Sequence, residues 1–427
     1  MNSEWRIANS EWRIVTALAL ALWLLVPSSP VSGEFCRSAQ DQLFRTATAT
    51  EGITVIESKV SHSFARQAVF TLQATSSAEI NRVYLFFRAI GDEQTESVFV
   101  DVEPSREVSI NYVHDLRRSP LPPFATVIFW WYIEDTADHN LTTDYYQFEY
   151  MDDRFQWEHI SDRGITIHWI EGHGDPIFGQ AALDVALASV EEISTDLRAP
   201  VPESIAVYIY DAQHNLETAM ALTGRSWVVG QAHPELDVIV VAIPHDATEG
   251  YMSRVKRYIP HEITHLLVYQ TVTPAGYRYV PEWLDEGLST ANEWLPTVEF
   301  TTILEEARTQ GQLLSLESMC VPFSPDLHTA LLSYAQSGSI VQFIREQYGA
   351  RGIRDLLAAY ADGASCTMGV QEALDVSLGD LESAWWASLE PQTPWRALVD
   401  KIGVWVGLWL LSLLPFVPMI SRLRRNE

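Results

Sequence analysis

The chain has 427 residues, 47% of them hydrophobic, enough for more than one globular unit. Its 56 acidic residues against 28 basic ones give a formal net charge of −28. Such a surface repels phosphate backbones, which excludes nucleic acid as the expected partner.

The first element in chain order is apolar. Residues 14–26 are mostly apolar, a run too short to cross about 30 Å of hydrocarbon as a helix. Arg13 precedes it and small residues lead to Gly33, so residues 1–33 read as a signal peptide outside the fold. Inside that leader, residues 2–7 repeat as residues 9–14, a duplication with no structural logic.

Residues 51–153 read as β. Apolar and polar positions roughly alternate over 68–74, 80–88, 97–102, 108–112 and 126–133, with turn-prone stretches between them. Five to seven short strands in about 100 residues suggest a β-sandwich of immunoglobulin or fibronectin type. Pro120, Pro122 and Pro123 suit an edge or a corner.

Residues 152–157 mark a junction, after which the pattern changes. Residues 164–170, 205–210 and 238–243 read as strands; 178–197 reads as a helix with Leu183, Leu187, Val190, Ile193 and Leu197 on one face. Mixed strands and helices imply an α+β lobe.

His261-Glu262-Ile263-Thr264-His265 follows. Histidines four apart lie about 40° apart around a helix, one turn up, so both imidazoles can reach one ion. The glutamate between them is set to act on a water held by that ion, as in zinc hydrolases. Pro260 costs a helix interior about 3 kcal/mol, so either the helix starts or kinks there or its first ligand is placed unusually. A third ligand is needed. Pro281-Glu282-Trp283-Leu284-Asp285-Glu286-Gly287 opens a second helix with three acids, and spacing alone does not choose among Glu282, Asp285 and Glu286. His168, His173, His214, His233 and His245 lack helical pairing with another ligand. Of these, His173 and His233 are the first choices for contact with substrate or a ligand.

H-E-x-x-H followed by W-L-x-E-G resembles the gluzincins, and within them the peptidase MA-like group. The helix that begins at Tyr334 and continues small, then apolar, extends the likeness, which covers roughly residues 160–390. The resemblance implies a Zn2+ cofactor with His261, His265 and Glu286 as metal ligands, Glu262 as catalytic general base and Tyr334 as the group that stabilises the oxyanion. It implies a peptide or protein substrate, held extended by backbone pairing along the strand nearest the cleft, for which 238–243 is the candidate.

Cys320 and Cys366 flank the helices beyond this motif. In an oxidising compartment they could close a loop of about 47 residues, worth about 3–4 kcal/mol in the chain-entropy model. Residues 402–420 are uncharged and apolar, about 28 Å long as a helix. Lys401 lies on one side and Arg422, Arg424 and Arg425 on the other, so residues 421–427 read as a cytoplasmic basic tail.

The expected fold class is therefore multidomain: an N-terminal all-β sandwich at 51–153, an α+β thermolysin-like (gluzincin) metallopeptidase domain at 160–390, and one C-terminal transmembrane helix at 402–420. The expected function is a membrane-anchored, extracytoplasmic zinc metallopeptidase. The alternatives are a zinc hydrolase of a non-peptide bond, or a surface adhesion protein with a residual metal site.

Overall fold

The computed structural model describes residues 52–92, 94–220, 229–244 and 250–390. Strict alternation builds the first region. In β5 (Thr126–Asp135), Val127, Phe129, Trp131, Ile133 and Asp135 are buried, and the residues between them face outward. The same period shapes β1 (Ile53–Ser63), β2 (Gln67–Ala89), β3 (Glu96–Val100), β4 (Ser105–Asp115), β6 (Asn140–Thr142) and β7 (Tyr146–Glu149).

β2 is one strand where the sequence suggested two. Straight, it would hold Phe70 and Phe87 about 56 Å apart, yet their ring centroids lie 5.0 Å apart. The strand therefore folds back at residues 76–79, where its pairing with β4 slips between Thr75 and Ile80. Its first arm pairs with β1 and β4, its second with β3 and β5, and β6 and β7 extend β5; all these pairings are antiparallel. The sandwich expectation is corrected accordingly. The two layers are halves of one continuous seven-stranded sheet, because the bent strand is shared between them. Trp131 spans the gap, its Nε1 donating to Ser58 Oγ at 3.1 Å.

The second region starts from a five-stranded sheet: β8 (Trp157–Asp162), β9 (Ile165–Ile170), β10 (Ile205–Tyr210), β11 (Gly230–His233) and β12 (Val238–Ala242). The order is β11-β12-β10-β9-β8. β10 runs parallel to β9 and β12, and the outer strands are antiparallel. β12 is buried along its whole length, as a strand covered on both faces must be. One face, with Tyr208, Tyr210 and Val240, packs on the β-region. The other, with Val207, Ile209 and Val241, packs on helices.

The helices of this region are α1 (Pro176–Leu197), α2 (Gln213–Ala219), α3 (Tyr251–Tyr277), α4 (Glu282–Ala291), α5 (Val298–Gln310), α6 (Leu327–Ala361), α7 (Cys366–Leu374) and α8 (Leu378–Ser388), of which α2 packs on the face toward the β-region. α1 starts as its residues dictate: the Asp175 carboxylate accepts the Phe178 N–H at 2.8 Å, and proline occupies the first turn. α4 lies tightly against α6 because Gly287 has no side chain; a Cβ there would stand 2.6 Å from the Ser337 carbonyl oxygen. Cys320 and Cys366 form a disulfide with their Cα atoms 6.0 Å apart.

The expected leader at 1–33, the transmembrane helix at 402–420 and the tail at 421–427 lie outside the described residues. Among the described residues no helix is long and apolar enough to cross a membrane, which corrects the expected fold class. α6 has the length but carries Arg345, Glu346, Arg351, Arg354 and Asp355, a charge load that water must solvate.

Candidate metal centre

His261 and His265 stand one turn apart on α3, with ring centroids 5.1 Å apart. α3 passes through Pro260 without the expected start or kink; its non-helical residue is Thr273, just before Pro274. α4 delivers Glu286. Its Oε2 lies 3.3 Å from His261 Nε2 and 3.4 Å from His265 Nε2. One ligand atom from each of the three side chains falls within 4.8 Å of the others.

The far side of each imidazole is held by an acid. Glu293 Oε1 lies 3.1 Å from His261 Nδ1, and Asp285 Oδ2 lies 3.1 Å from His265 Nδ1. With the proton on each Nδ1, each Nε2 turns a lone pair toward Glu286. Tyr277 tightens the second pair by donating to Asp285 Oδ2 at 2.7 Å. The helix is interrupted at Thr273, before the last turn of α3, which carries that tyrosine.

A cation fits this arrangement. A tetrahedral ion with bonds of about 2.05 Å has edges of about 3.3 Å between its ligands, and the two Nε2–Oε2 separations match that. Glu286 Oε2 is buried and makes a hydrogen bond with neither imidazole. Two imidazole nitrogens and one carboxylate oxygen are a donor set suited to zinc.

The electrostatics agree. Burial pulls the His261 imidazole down, but the carboxylates of Glu286, Glu293 and Glu262 overcome it and push its pKa up to about 10. His265, also opposed by burial, is driven well above its ordinary range by Asp285 and Glu286. Burial would raise Glu286; the neighbouring His265 and His261 hold it far below the usual carboxylate range. Lone pairs that attract protons this strongly attract a divalent cation for the same reason. Glu262 behaves differently: burial pushes its carboxyl up.

These groups line a cavity of about 560 Å³. Glu262 is 4% exposed and faces β11. A Cβ at Gly230 would meet Glu262 Oε1, so glycine there lets the carboxylate keep its place against the strand. Tyr334 of α6 donates to Glu286 Oε1 at 3.2 Å, and Phe323 packs edge-on against its ring. The strand nearest the cavity is β11, not the expected 238–243, because β12 lies inside the sheet between β10 and β11. Glu282 lines the cavity without reaching the imidazole Nε2 atoms that Glu286 faces. Neither His173, paired with Asp211, nor His233 lines it. His214 is exposed. His168 is half-buried and stacked on Tyr208, where burial pulls its pKa down to about 4. His245 lies outside the described residues.

Sequence reasoning missed Glu293, Tyr277 and Gly230. Glu293 is a further acid seven residues after Glu286, but it lies just past the end of α4, where helical spacing gives no signal.

The model of the Peptidase MA superfamily matches residues 184–391, a segment that holds every residue lining the site, β11 included. The likeness of this segment to the peptidase MA-like group is thus established. No curated protein matches the chain. Among solved structures, the M1 zinc metallopeptidase of Deinococcus radiodurans is similar at 14% identity over 80% of this chain and 91% of that one, with a TM-score of 0.34. An aminopeptidase N family protein of Idiomarina loihiensis is 9% identical over 76% of this chain and 74% of its own, with a TM-score of 0.40. OgpA of Akkermansia muciniphila, solved with an O-glycopeptide substrate, is 7% identical over 25% of this chain, with a TM-score of 0.19; the chain spans only 31% of its length. Overlays this loose settle neither the fold nor the chemistry of this chain.

Proposed function

We propose that the chain is a zinc-dependent peptidase whose ion is held by His261, His265 and Glu286. The observation that carries the reading is the convergence of one ligand atom from each of these side chains within 4.8 Å, beside a buried carboxylate that is not among them. Zinc, when bound, would supply a Lewis acid and bring the pKa of a coordinated water toward about 7. Glu262 takes the proton of the attacking water and passes it to the leaving amine. Its raised pKa suits a group that must hold that proton between the two steps. The Tyr334 hydroxyl turns from Glu286 to the substrate oxygen as negative charge gathers there. Among the described residues β11 pairs only with β12, so its free edge can take an extended peptide by backbone pairing. The Cys320–Cys366 bridge favours an oxidising, extracytoplasmic setting.

The test is elemental analysis of the full chain, purified with zinc and without chelator, beside cleavage of a mixed peptide pool. One zinc per chain and chelator-sensitive cleavage are expected. Glu262→Gln is expected to keep the zinc and lower turnover by roughly 10²- to 10⁴-fold. A chain without metal, or full turnover by that variant, overturns the reading.

A further inference from the structure

A proline inside a helix has no N–H to give the carbonyl four residues back. Pro260 therefore leaves the Lys256 carbonyl without its helical donor. That carbonyl is nonetheless bonded: the Trp294 N–H donates to it at 3.0 Å, arriving from the segment just past the end of α4. Two residues earlier on the same segment, Asn292 Nδ2 donates to Thr264 Oγ1 at 3.2 Å, and Thr264 Oγ1 donates to the Pro260 carbonyl at 2.8 Å. Arg345 of α6 fixes the Asn292 amide through its Oδ1 at 2.8 Å. The residue between the two ties is Glu293, whose carboxylate meets His261 Nδ1.

We infer that Pro260 is a positioning residue: by freeing the Lys256 carbonyl for Trp294, it brackets residues 292–294 across α3 and fixes Glu293 against His261. The inference rests on the proposed role of His261 as a metal ligand. It also explains why a costly residue stands directly before that histidine. An alanine at 260 would return an N–H to the helix, draw the Lys256 carbonyl back along the axis and loosen the Trp294 tie. Glu293 would then sample several positions, and His261 would lose its fixed orientation.

Zinc affinity of the full chain, measured by competition with a chromogenic chelator, tests this in wild type, Pro260→Ala, Glu293→Gln and the double variant. Outer partners of a metal-bound histidine are worth about 10- to 100-fold in affinity. Pro260→Ala is expected near the lower end of that range, while the metal-free chain melts no lower than wild type because alanine suits a helix better. In the Glu293→Gln background the same change is expected to cost less than about twofold, since its effect passes through the carboxylate. A proline that merely shaped the helix would give the same loss in both backgrounds. Hydrogen exchange supplies a second reading: the Trp294 amide is expected to be protected in wild type and to lose protection in Pro260→Ala.

Unchanged zinc affinity in Pro260→Ala, or full additivity with Glu293→Gln, overturns the inference and leaves the metal site standing. An unprotected Trp294 amide in wild type overturns it too, whether or not the variant folds. A wild-type chain that takes up no zinc overturns the proposed function and this inference together.

Discussion

Both regions bury carboxylates, and they treat them in opposite ways. In the β-region the side chains of Asp135 and Asp152 are 0% exposed, and every oxygen is satisfied. Asp135 accepts from Ser76 Oγ at 2.6 Å, His139 Nδ1 at 3.0 Å and the N–H groups of Ala137 and His139 at 2.9 and 3.1 Å. Asp152 takes two bonds from the Arg154 guanidinium, the Arg154 N–H and the Tyr210 hydroxyl. In the helical region Glu286 Oε2 and Asp285 Oδ1 are buried without a hydrogen bond, and Glu262, Glu282, Asp285, Glu286 and Glu293 gather at one cavity. A buried charge that is fully bonded holds a fold together; a buried carboxylate oxygen without a hydrogen bond, as on Glu286, awaits something positive. The contrast separates the structural acids from the functional ones without reference to any relative.

The sharpest way to break this comparison is to remove two acids of the cavity one at a time and measure zinc. Glu286→Ala deletes one of three ligands and is expected to abolish stoichiometric zinc in elemental analysis, whereas Glu282→Ala is expected to keep it. Retained zinc in the first variant would move the third ligand elsewhere. Next come the two acids behind the imidazoles. Asp285→Asn and Glu293→Gln leave Glu286 untouched but free one histidine each, and are expected to weaken zinc by about 10- to 100-fold in chelator competition. Gly230→Ala is expected to leave zinc affinity unchanged, because β11 supplies no ligand. Its new Cβ would push Glu262 aside, and a displaced base on the scale of 1 Å costs about 10²-fold in turnover.

How much of this was legible in the chain depends on the range of the signal. The metal motif is local: its spacing puts His261 and His265 on one helix face, and α4 starts just after Pro281 as its residues suggest. Strands 126–133 and 205–210 were readable from alternation and apolar runs. What failed were long-range facts. That 68–74 and 80–88 belong to one folded strand depends on β1, β3, β4 and β5 pairing around it, which no local pattern encodes. β11, Gly230-Gln231-Ala232-His233, has little apolar alternation, so the edge beside the cavity was assigned to the more hydrophobic β12. Pro260 read as a helix defect because the donor that satisfies Lys256 lies 38 residues downstream at Trp294.

The smallest expected effect on zinc belongs to Asp135, and it tests the other half of the contrast. Asp135 lies on the inward phase of β5 and bonds Ser76, at the point where β2 folds back. Burial alone would raise its carboxyl; the hydrogen bonds from Ser76, His139 and the backbone outweigh this and hold it at about 2. An unfolded aspartate titrates near about 3.9. A depressed carboxyl of this kind stabilises the fold fully above the unfolded value and loses that contribution as pH falls through about 4 toward about 2. Asp135→Asn keeps the shape but replaces one acceptor by a donor, leaving at least one buried N–H or O–H without a partner, a cost of about 1–3 kcal/mol at pH 7. Denaturant unfolding of wild type and variant should therefore show a gap at pH 7 that narrows below about pH 4, while zinc affinity at neutral pH stays the same in both. A gap that persists unchanged to pH 2 would mean the charge is irrelevant to the bend, and a loss of zinc would mean that the two regions do not divide their acids as argued.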